Sequence, residues 1–593
     1  MLSLRNSLWW IVAIFPAFSA EPIAMLPEYM RSDPYGAIVA ADASGVRRPL
    51  IAARDAYASF QIQVAAPVGV EYAMHIELPL PVEVYREWFH LFKASGRYVP
   101  DALIPVQLPY RSRLPEPDNR IPGQTSQAFW VDVWVPKDTP PGLKRGSVQL
   151  TYSGRTQSLP IEITVLPPVV PATDAITIDH NSYGSSWLGE QYPQLQQRLG
   201  SRFFASDEFF GLIHAYHRIF YEHRGTYHQL GYGHGGKVGP EFAPVLEGSG
   251  RSKKIRSWEM FDRHYGPLLD GSAFAKTRRG AKPIPYVYLP INPEWPASYL
   301  WWGEPGYEAE FTGVVSAMEK HFREKGWTQT QFEMFFNHKK RYKGFEWDGD
   351  EARFFKDLNY LRIFRQLLDR AVPAGSPVRF RFRADASWMM EQQFRELAGV
   401  IDFWIVGGGL FGWYDYAPAL LKARGDTVWF YSGTPDTLQP ASAIAAHPVK
   451  AWMWGIDGYV HWLAVAPGSD PWFDFGGGEL SMAYPGERFG IAGPIPSLRL
   501  KLQRNCQQDL ALLAAQPDRG KLLRNGVAER FNGTTPEQWW TPRPPLADTP
   551  PSDWSNASLD EATPTDPRFG SALAPQAWQL VREYILANAK EAR

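Results

Sequence analysis

The segment Phe345-Glu346-Trp347-Asp348-Gly349-Asp350-Glu351-Ala352-Arg353 crowds carboxyl groups together, and two of them, Asp350 and Glu351, are consecutive. Neighbouring carboxyls can divide the work of acid–base chemistry. Each disfavours the other's ionisation, so one can keep a proton to give while the other stays charged and polarises a reacting group. Consecutive residues of a regular strand point to opposite faces, so both reach one ligand only where the backbone bends. Gly349 is the residue expected to permit that bend. For Glu351 to hold a proton near neutral pH, apolar cover from Trp347 or repulsion from Asp350 or Asp348 has to raise its pKa. The same residues also suit a solvated loop capping the next helix, since acids favour helix N-termini.

The acidic segment lies between the apolar run Gln331 to Phe336 and a helix-like stretch beginning near Phe354. It is one step in a longer alternation. Short apolar runs at Ile176–Asp179, Tyr227–Tyr232, Ile284–Leu289, Gln331–Phe336, Val378–Phe382, Ile401–Val406, Thr427–Tyr431 and Gly458–Leu463 are separated by amphipathic stretches of helix length. Strands and helices alternating in this way predict a (β/α)8 barrel of the TIM type over residues 172–480, with its site on the loops after the strand C-termini. The acidic loop follows the fourth strand.

Before the barrel the texture is different. Phe60, Ile62 and Val64 alternate with polar neighbours, Val148, Leu150 and Tyr152 do so after the turn at Pro140-Pro141-Gly142, and Ile161, Ile163 and Val165 follow. These short strands predict a β-sandwich over residues 21–167. Pro167-Pro168-Val169-Val170-Pro171 then predicts a stiff extended linker. After the barrel, residues 481–593 form a closing segment in which Leu498, Leu502, Cys506, Leu510 and Leu513 repeat at helical spacing. Coil is expected over about 515–572, and a terminal helix from Pro575 to Ala587. At the other end Arg5, the apolar run Leu8 to Phe18 and the small residues Ser19 and Ala20 have the pattern of a signal peptide over residues 1–20, which predicts a secreted or periplasmic protein. No later run reaches the length of a membrane span.

The 593 residues carry 61 Lys+Arg against 62 Asp+Glu, a balance that argues against nucleic acid as partner and favours a neutral one. Cys506 is the only cysteine, so no internal disulfide forms. His214 and His217, with His223, His228 and His234 downstream, have spacings that can bind zinc, but no His-Glu-x-x-His motif or cysteine ligand set accompanies them. No metal and no cofactor is expected. Gly407, Gly409 and Gly412 satisfy G-x-G-x-x-G, yet Trp413-Tyr414-Asp415-Tyr416-Ala417-Pro418 is a poor helix start for a pyrophosphate.

Three blocks carry a resemblance. Phe129 to Pro136 running on to Pro140-Pro141-Gly142, Trp258 to Phe274 with Tyr288-Leu289-Pro290 and Trp295-Pro296, and Tyr484-Pro485-Gly486 through Gly493-Pro494-Ile495 to Leu500 together resemble glycoside hydrolase family 123 over roughly residues 40 to 515. The resemblance implies a β-N-acetylgalactosaminidase-type barrel whose Asp-Glu pair uses the substrate's own acetamido group as nucleophile. By position Glu351 is then the general acid/base and Asp350 the group that orients the acetamide. The implied partner is a carbohydrate. Asn337 and His338 at the end of the fourth strand, Arg383 and Asp385 at the end of the fifth, His234 after the second, Trp462 at the eighth and Asp348 beside the pair are the candidate substrate-binding residues. Trp404 and Trp413 offer further flat faces, with core packing the default for Trp404. The family's pair is commonly followed by proline, whereas Ala352 and Arg353 stand here. That departure leaves open a glycosidase acting on a sugar without an acetamido group, with Asp348 as nucleophile, and a non-catalytic carbohydrate-binding barrel.

Overall fold

The computed structural model describes residues 21–42, 49–297, 304–352, 355–386, 391–407, 417–465, 470–475, 481–517, 521–528 and 575–590. The leader, Trp413 and the glycines at 409 and 412 lie outside these residues.

The N-terminal part is two facing sheets. One has the order Ile23–Pro27, Ala56–Val64, Gln127–Val135, Val82–Phe92, Arg97–Val106, and the other Leu50–Arg54, Arg155–Val169, Gly142–Tyr152, Glu71–Glu77, Tyr110–Arg113. All neighbours are antiparallel except Leu50–Arg54 beside Arg155–Val169. Phe60, Ile62, Val64, Phe129, Val131 and Val133 meet Met74, Ile76, Val148, Leu150, Ile161 and Ile163 in one apolar layer. The expected alternation is present, but its polar members are buried too: Ser59 and Gln61 are covered on the outer face of their sheet.

Pro167 and Pro168 do not form a linker; the last sandwich strand runs through them to Val169. Pairing with Leu50–Arg54 shifts between Val165 and Val169, so prolines without an N–H sit at an irregular edge, where they cost no ladder bond. Arg54 donates to the Pro167 carbonyl at 2.9 Å. The chain then leaves this sheet and enters another one.

That second unit is the barrel: β1 (Thr177–Tyr183), β2 (Thr226–Leu230), β3 (Tyr286–Tyr288), β4 (Gln331–Phe335), β5 (Arg379–Ala386), β6 (Phe403–Gly407), β7 (Thr427–Gly433) and β8 (Gly458–Trp462). Neighbours are parallel from β3 round to β8, then β8 to β1 and β1 to β2. Only the seam between β2 and β3 lacks a ladder among the described residues. Helices stand between the strands. The first long one, Asp207–Glu222, starts where Ser206 accepts the Phe209 N–H at 3.1 Å and buries Phe209, Ile213, Tyr216 and Phe220.

The helix Leu498–Ala514 joins the two units. Its apolar repeat packs as expected, Cys506 touching the Ala445 carbonyl, but its other face is polar and equally buried. Arg504 and Lys501 both reach Asp132 of the sandwich at 2.7 and 2.8 Å. Arg499 holds Asp101 at 2.8 Å, Asn505 holds Glu28 at 2.7 Å, and Gln503 meets His180 of β1 at 2.6 Å. This face is what covers the outer side of the sandwich sheet. Periodicity alone could not show it, because it registers only the apolar stripe. Residues Lys521–Ala528 form a helix inside the stretch expected to be coil, and the terminal helix spans Pro575–Asn588.

Burial would raise the Asp132 carboxyl, but Arg504 and Lys501 outweigh it and hold it far below the usual range. Stability from this group is therefore present above about pH 4 and lost as the pH falls below it. Asp132→Ala leaves two buried cations without their anion, so a loss of about 3–5 kcal/mol is expected in denaturant unfolding; a loss under about 1 kcal/mol would show that the pair does not hold the units together.

Candidate active site

The site is built from the end of β4. Tyr232, just past β2, places its hydroxyl against the carbonyls of Ile291 and Phe335 and accepts the Asn337 N–H at 3.3 Å, which pins the strand end. The chain then turns through the short helix Lys340–Lys343 and comes back. Asp348 closes this excursion by accepting the Lys340 N–H at 2.8 Å. On the return, the N–H groups of Gly349 and Asp350 both donate to the His338 carbonyl, at 3.0 and 3.2 Å. A Cβ on Gly349 would lie 2.5 Å from the Phe336 Cβ and 2.7 Å from its carbonyl oxygen. Only glycine lets the two passes of the chain approach so closely.

The expected bend is present, one step later than expected. Gly349 supplies close approach, while Glu351 itself takes the left-handed conformation with φ 52°. Such a conformation costs a residue with a Cβ of order 1–2 kcal/mol and is kept only where surrounding contacts impose it. Its effect is to bring both carboxylates to one cation. Lys339 Nζ lies 2.9 Å from Asp350 Oδ2 and 3.1 Å from Glu351 Oε2. His234 Nε2 approaches the same Asp350 oxygen at 3.2 Å, and Tyr431 in β7 donates to Glu351 Oε1 at 2.9 Å. Burial would lower the Lys339 ammonium, but Asp350 and Glu351 outweigh it, so it stays charged.

Behind the pair, a buried polar chain crosses the barrel. Asp179 of β1 contacts His228 Nδ1 at 2.8 Å, His228 Nε2 faces Glu333 of β4 at 3.4 Å, Arg383 of β5 pairs with Glu333 at 3.1 Å, and Arg383 grips Asp385 with two bonds of 2.7 and 3.0 Å. Tyr288 stacks on His228 at 3.7 Å and bonds to Arg383 through its hydroxyl. Burial pushes the Asp385 carboxyl up to about 6, against the pull of Arg383 and with the nearby charges of Asp350 and Glu351 adding to the rise. Arg383 is thus enclosed by protein partners and orients Asp385.

The remaining candidates separate into two groups. His234 and Trp462 stand at the mouth with Tyr183 between them: Trp462 meets Tyr183 edge-on at 5.3 Å, and Tyr183 faces His234 at 6.3 Å. Asn337 is buried there, with the Tyr183 hydroxyl beside its amide. His338 lies instead under the loop, its ring edge-on to Phe345 and Trp347 at 4.9 and 4.4 Å, and Trp404 is wholly buried. Burial lowers the His338 imidazole to about 3, so it stays neutral. Asp348 closes the turn. The pattern of strand ends does not reveal Lys339, Tyr431, Tyr183, Tyr288, Glu333, His228 or Asp179, although Lys339 directly follows His338 and Tyr431 sits in a recognised strand.

The histidines disperse. His214 contacts the His264 carbonyl at 2.8 Å, His223 the Ile219 carbonyl at 2.6 Å, and His217 packs against Tyr227. Among the described residues no group of three or more His, Cys, Asp or Glu is placed to hold a metal. Gly349→Ala should therefore damage the site by overpacking, at a cost of about 1–3 kcal/mol in thermal unfolding with loss of the pair's function; an unchanged melting temperature with full function would contradict the close approach.

No family model matches the chain, and no curated protein matches it. Among solved structures it resembles a family 123 glycoside hydrolase from Clostridium perfringens, described for glycolipid glycan hydrolysis, with 12% identity and a TM-score of 0.62 over 95% of this chain and 99% of that one. A putative α-galactosidase from Bacteroides fragilis, 9% identical, matches at a TM-score of 0.26 over 81% of this chain and 80% of that one. A β-glucuronidase from Parabacteroides merdae, 8% identical, matches at 0.24 over 68% and 45%. Scores that low carry no argument. Over 95% of its length the chain thus has the fold of the family 123 enzyme, a β-sandwich followed by a TIM-type barrel.

Proposed function

We propose that the protein is a glycoside hydrolase that cleaves the bond to a 2-acetamido-hexose with retention, using the substrate's acetamido group as nucleophile. The observation that carries this reading is the single Lys339 ammonium touching both Asp350 and Glu351 on the loop after β4. Two adjacent carboxylates facing one point at the catalytic end of a barrel can serve both ends of one reaction. The family 123 fold supports the choice of chemistry.

In this reading Glu351 protonates the glycosidic oxygen as the bond to the anomeric carbon breaks. Asp350 accepts a hydrogen bond from the acetamido N–H, and the acetamido carbonyl oxygen forms the new bond to the anomeric carbon. The cyclic intermediate then takes a water whose proton returns to Glu351, and the protein needs no nucleophile of its own. Trp462, Tyr183 and His234 form a wall for the sugar. Asn337 offers it a buried amide. Asp385, held by Arg383, stands behind the pair. Asp348 is engaged in the turn rather than aimed at the pair's cation, so nothing favours it as nucleophile. The partner is a carbohydrate, and export through the leader would bring the enzyme to it; no described helix is long and apolar enough to cross a membrane.

Glu351→Gln should slow glycosides with poor leaving groups by about 10²–10⁴-fold while sparing activated aryl glycosides, which need little protonation. Asp350→Asn should slow both, because attack by the acetamido oxygen precedes departure of either. Equal losses in the two variants on both substrates would argue against this division of roles. Turnover should also survive EDTA; loss that zinc restores would require a metal in the mechanism.

A further inference from the structure

The contacts of Glu351 favour the wrong state for a donor. Tyr431 donates to one of its oxygens and Lys339 to the other, at 2.9 and 3.1 Å. A carboxyl whose two oxygens both accept, one of them from a cation, is favoured in the ionised form. The acid role assigned above needs the proton on Glu351. We propose that Lys339 is a positioning residue whose ammonium is shared between Asp350 and Glu351 until substrate binds, and then moves wholly onto Asp350, leaving Glu351 to take from solvent the proton that it donates. This inference rests on the reading of Glu351 as the acid.

The geometry points to Lys339 as the moving part. Its contact with Asp350 is the shorter of the two, and its ammonium sits on a flexible stem with three donors, so a rotation that keeps the Asp350 bond breaks its contact with Glu351. Its backbone N–H is fixed by the His234 carbonyl at 3.3 Å, so the stem swings from a fixed root. Tyr431 need not move, because a hydroxyl that donates to a carboxylate can accept from a carboxylic acid. Of the other groups facing the pair, the carboxyls of Asp350 and Asp385 oppose ionisation of Glu351 and the cation of Arg383 favours it. Asp350 is adjacent, Asp385 approaches from β5 with Arg383 bonded behind it, and His234 contacts Asp350 rather than Glu351. An acetamido N–H bonded to Asp350 and a glycosidic oxygen beside Glu351 would together favour the relocated cation.

The test compares the wild type with Lys339→Met, which keeps the stem and loses the charge, and with Lys339→Arg. The basic limb of kcat/KM reports the free enzyme and that of kcat the complex, each a property of the coupled carboxyls. With a 2-acetamido-glycoside whose leaving group is poor, and which therefore depends on the acid, the wild type should show the kcat limb at higher pH than the kcat/KM limb. In Lys339→Met the kcat/KM limb should rise by about one to three pH units and the gap should close; Lys339→Arg should keep the gap. Coincident limbs in the wild type, or unmoved limbs in Lys339→Met, overturn the proposal. A second arm needs no turnover: carbodiimide labelling of Glu351, read by peptide mass spectrometry across pH, should shift its midpoint upward in Lys339→Met while the melting temperature stays close to that of the wild type. An unshifted midpoint overturns the proposal even if activity falls. A shifted midpoint in a protein that hydrolyses no glycoside would place the failure in the glycosidase reading, with Lys339's hold on Glu351 still established.

Discussion

Two carboxylates on consecutive residues can act on one substrate only if the backbone between them reverses the usual alternation of side chains, and that constraint organises the region around Asp350 and Glu351. The left-handed Glu351 meets it directly. The rest of the loop makes that conformation tenable: Gly349 presses against Phe336, paired N–H groups tie the return strand to the His338 carbonyl, and Asp348 closes the turn. Lys339 then offsets the repulsion that the arrangement creates. Strain at one residue is held by several unstrained contacts, the usual economy of a functional site.

The barrel supplies rigidity beneath this loop by an expensive route. Asp179, His228, Glu333, Arg383 and Asp385 are buried and in contact in series across four strands. Such a chain is a weak source of stability, since desolvation consumes much of the attraction, but it fixes geometry because breaking one link strands its neighbours. The same physics recurs between the two units, where Asp132 serves Arg504 and Lys501 of one buried helix. In both places ionic contacts fix orientation and the surrounding apolar packing supplies most of the stability.

The parts legible in the sequence were those governed by local periodicity. All eight barrel strands overlap the apolar runs, because a strand covered on both faces is rich in apolar residues even where it also carries buried polar ones. The acidic pair became a candidate through the resemblance to family 123, because acids before a helix suit a solvated capping loop equally well. What could not be read were the residues whose role depends on distant partners. Lys339 and Tyr431 matter only because β4 and β7 bring them to one carboxylate. The polar face of Leu498–Ala514 resembles a solvated one until the sandwich covers it. Pro167 and Pro168 suggested a linker because proline's effect was weighed without the irregular edge that accommodates it.

The central claim is that the substrate's acetamido oxygen, oriented by Asp350, is the nucleophile. The most direct measurement is the inhibition constant of a thiazoline mimic of the cyclised 2-acetamido-hexose set against that of the corresponding free sugar. A mimic of the reaction's high-energy species should bind at least about 10²-fold more tightly than the product. Equal binding of the two, together with efficient turnover of glycosides that lack the acetamido group, would contradict the account and require a nucleophile from the protein.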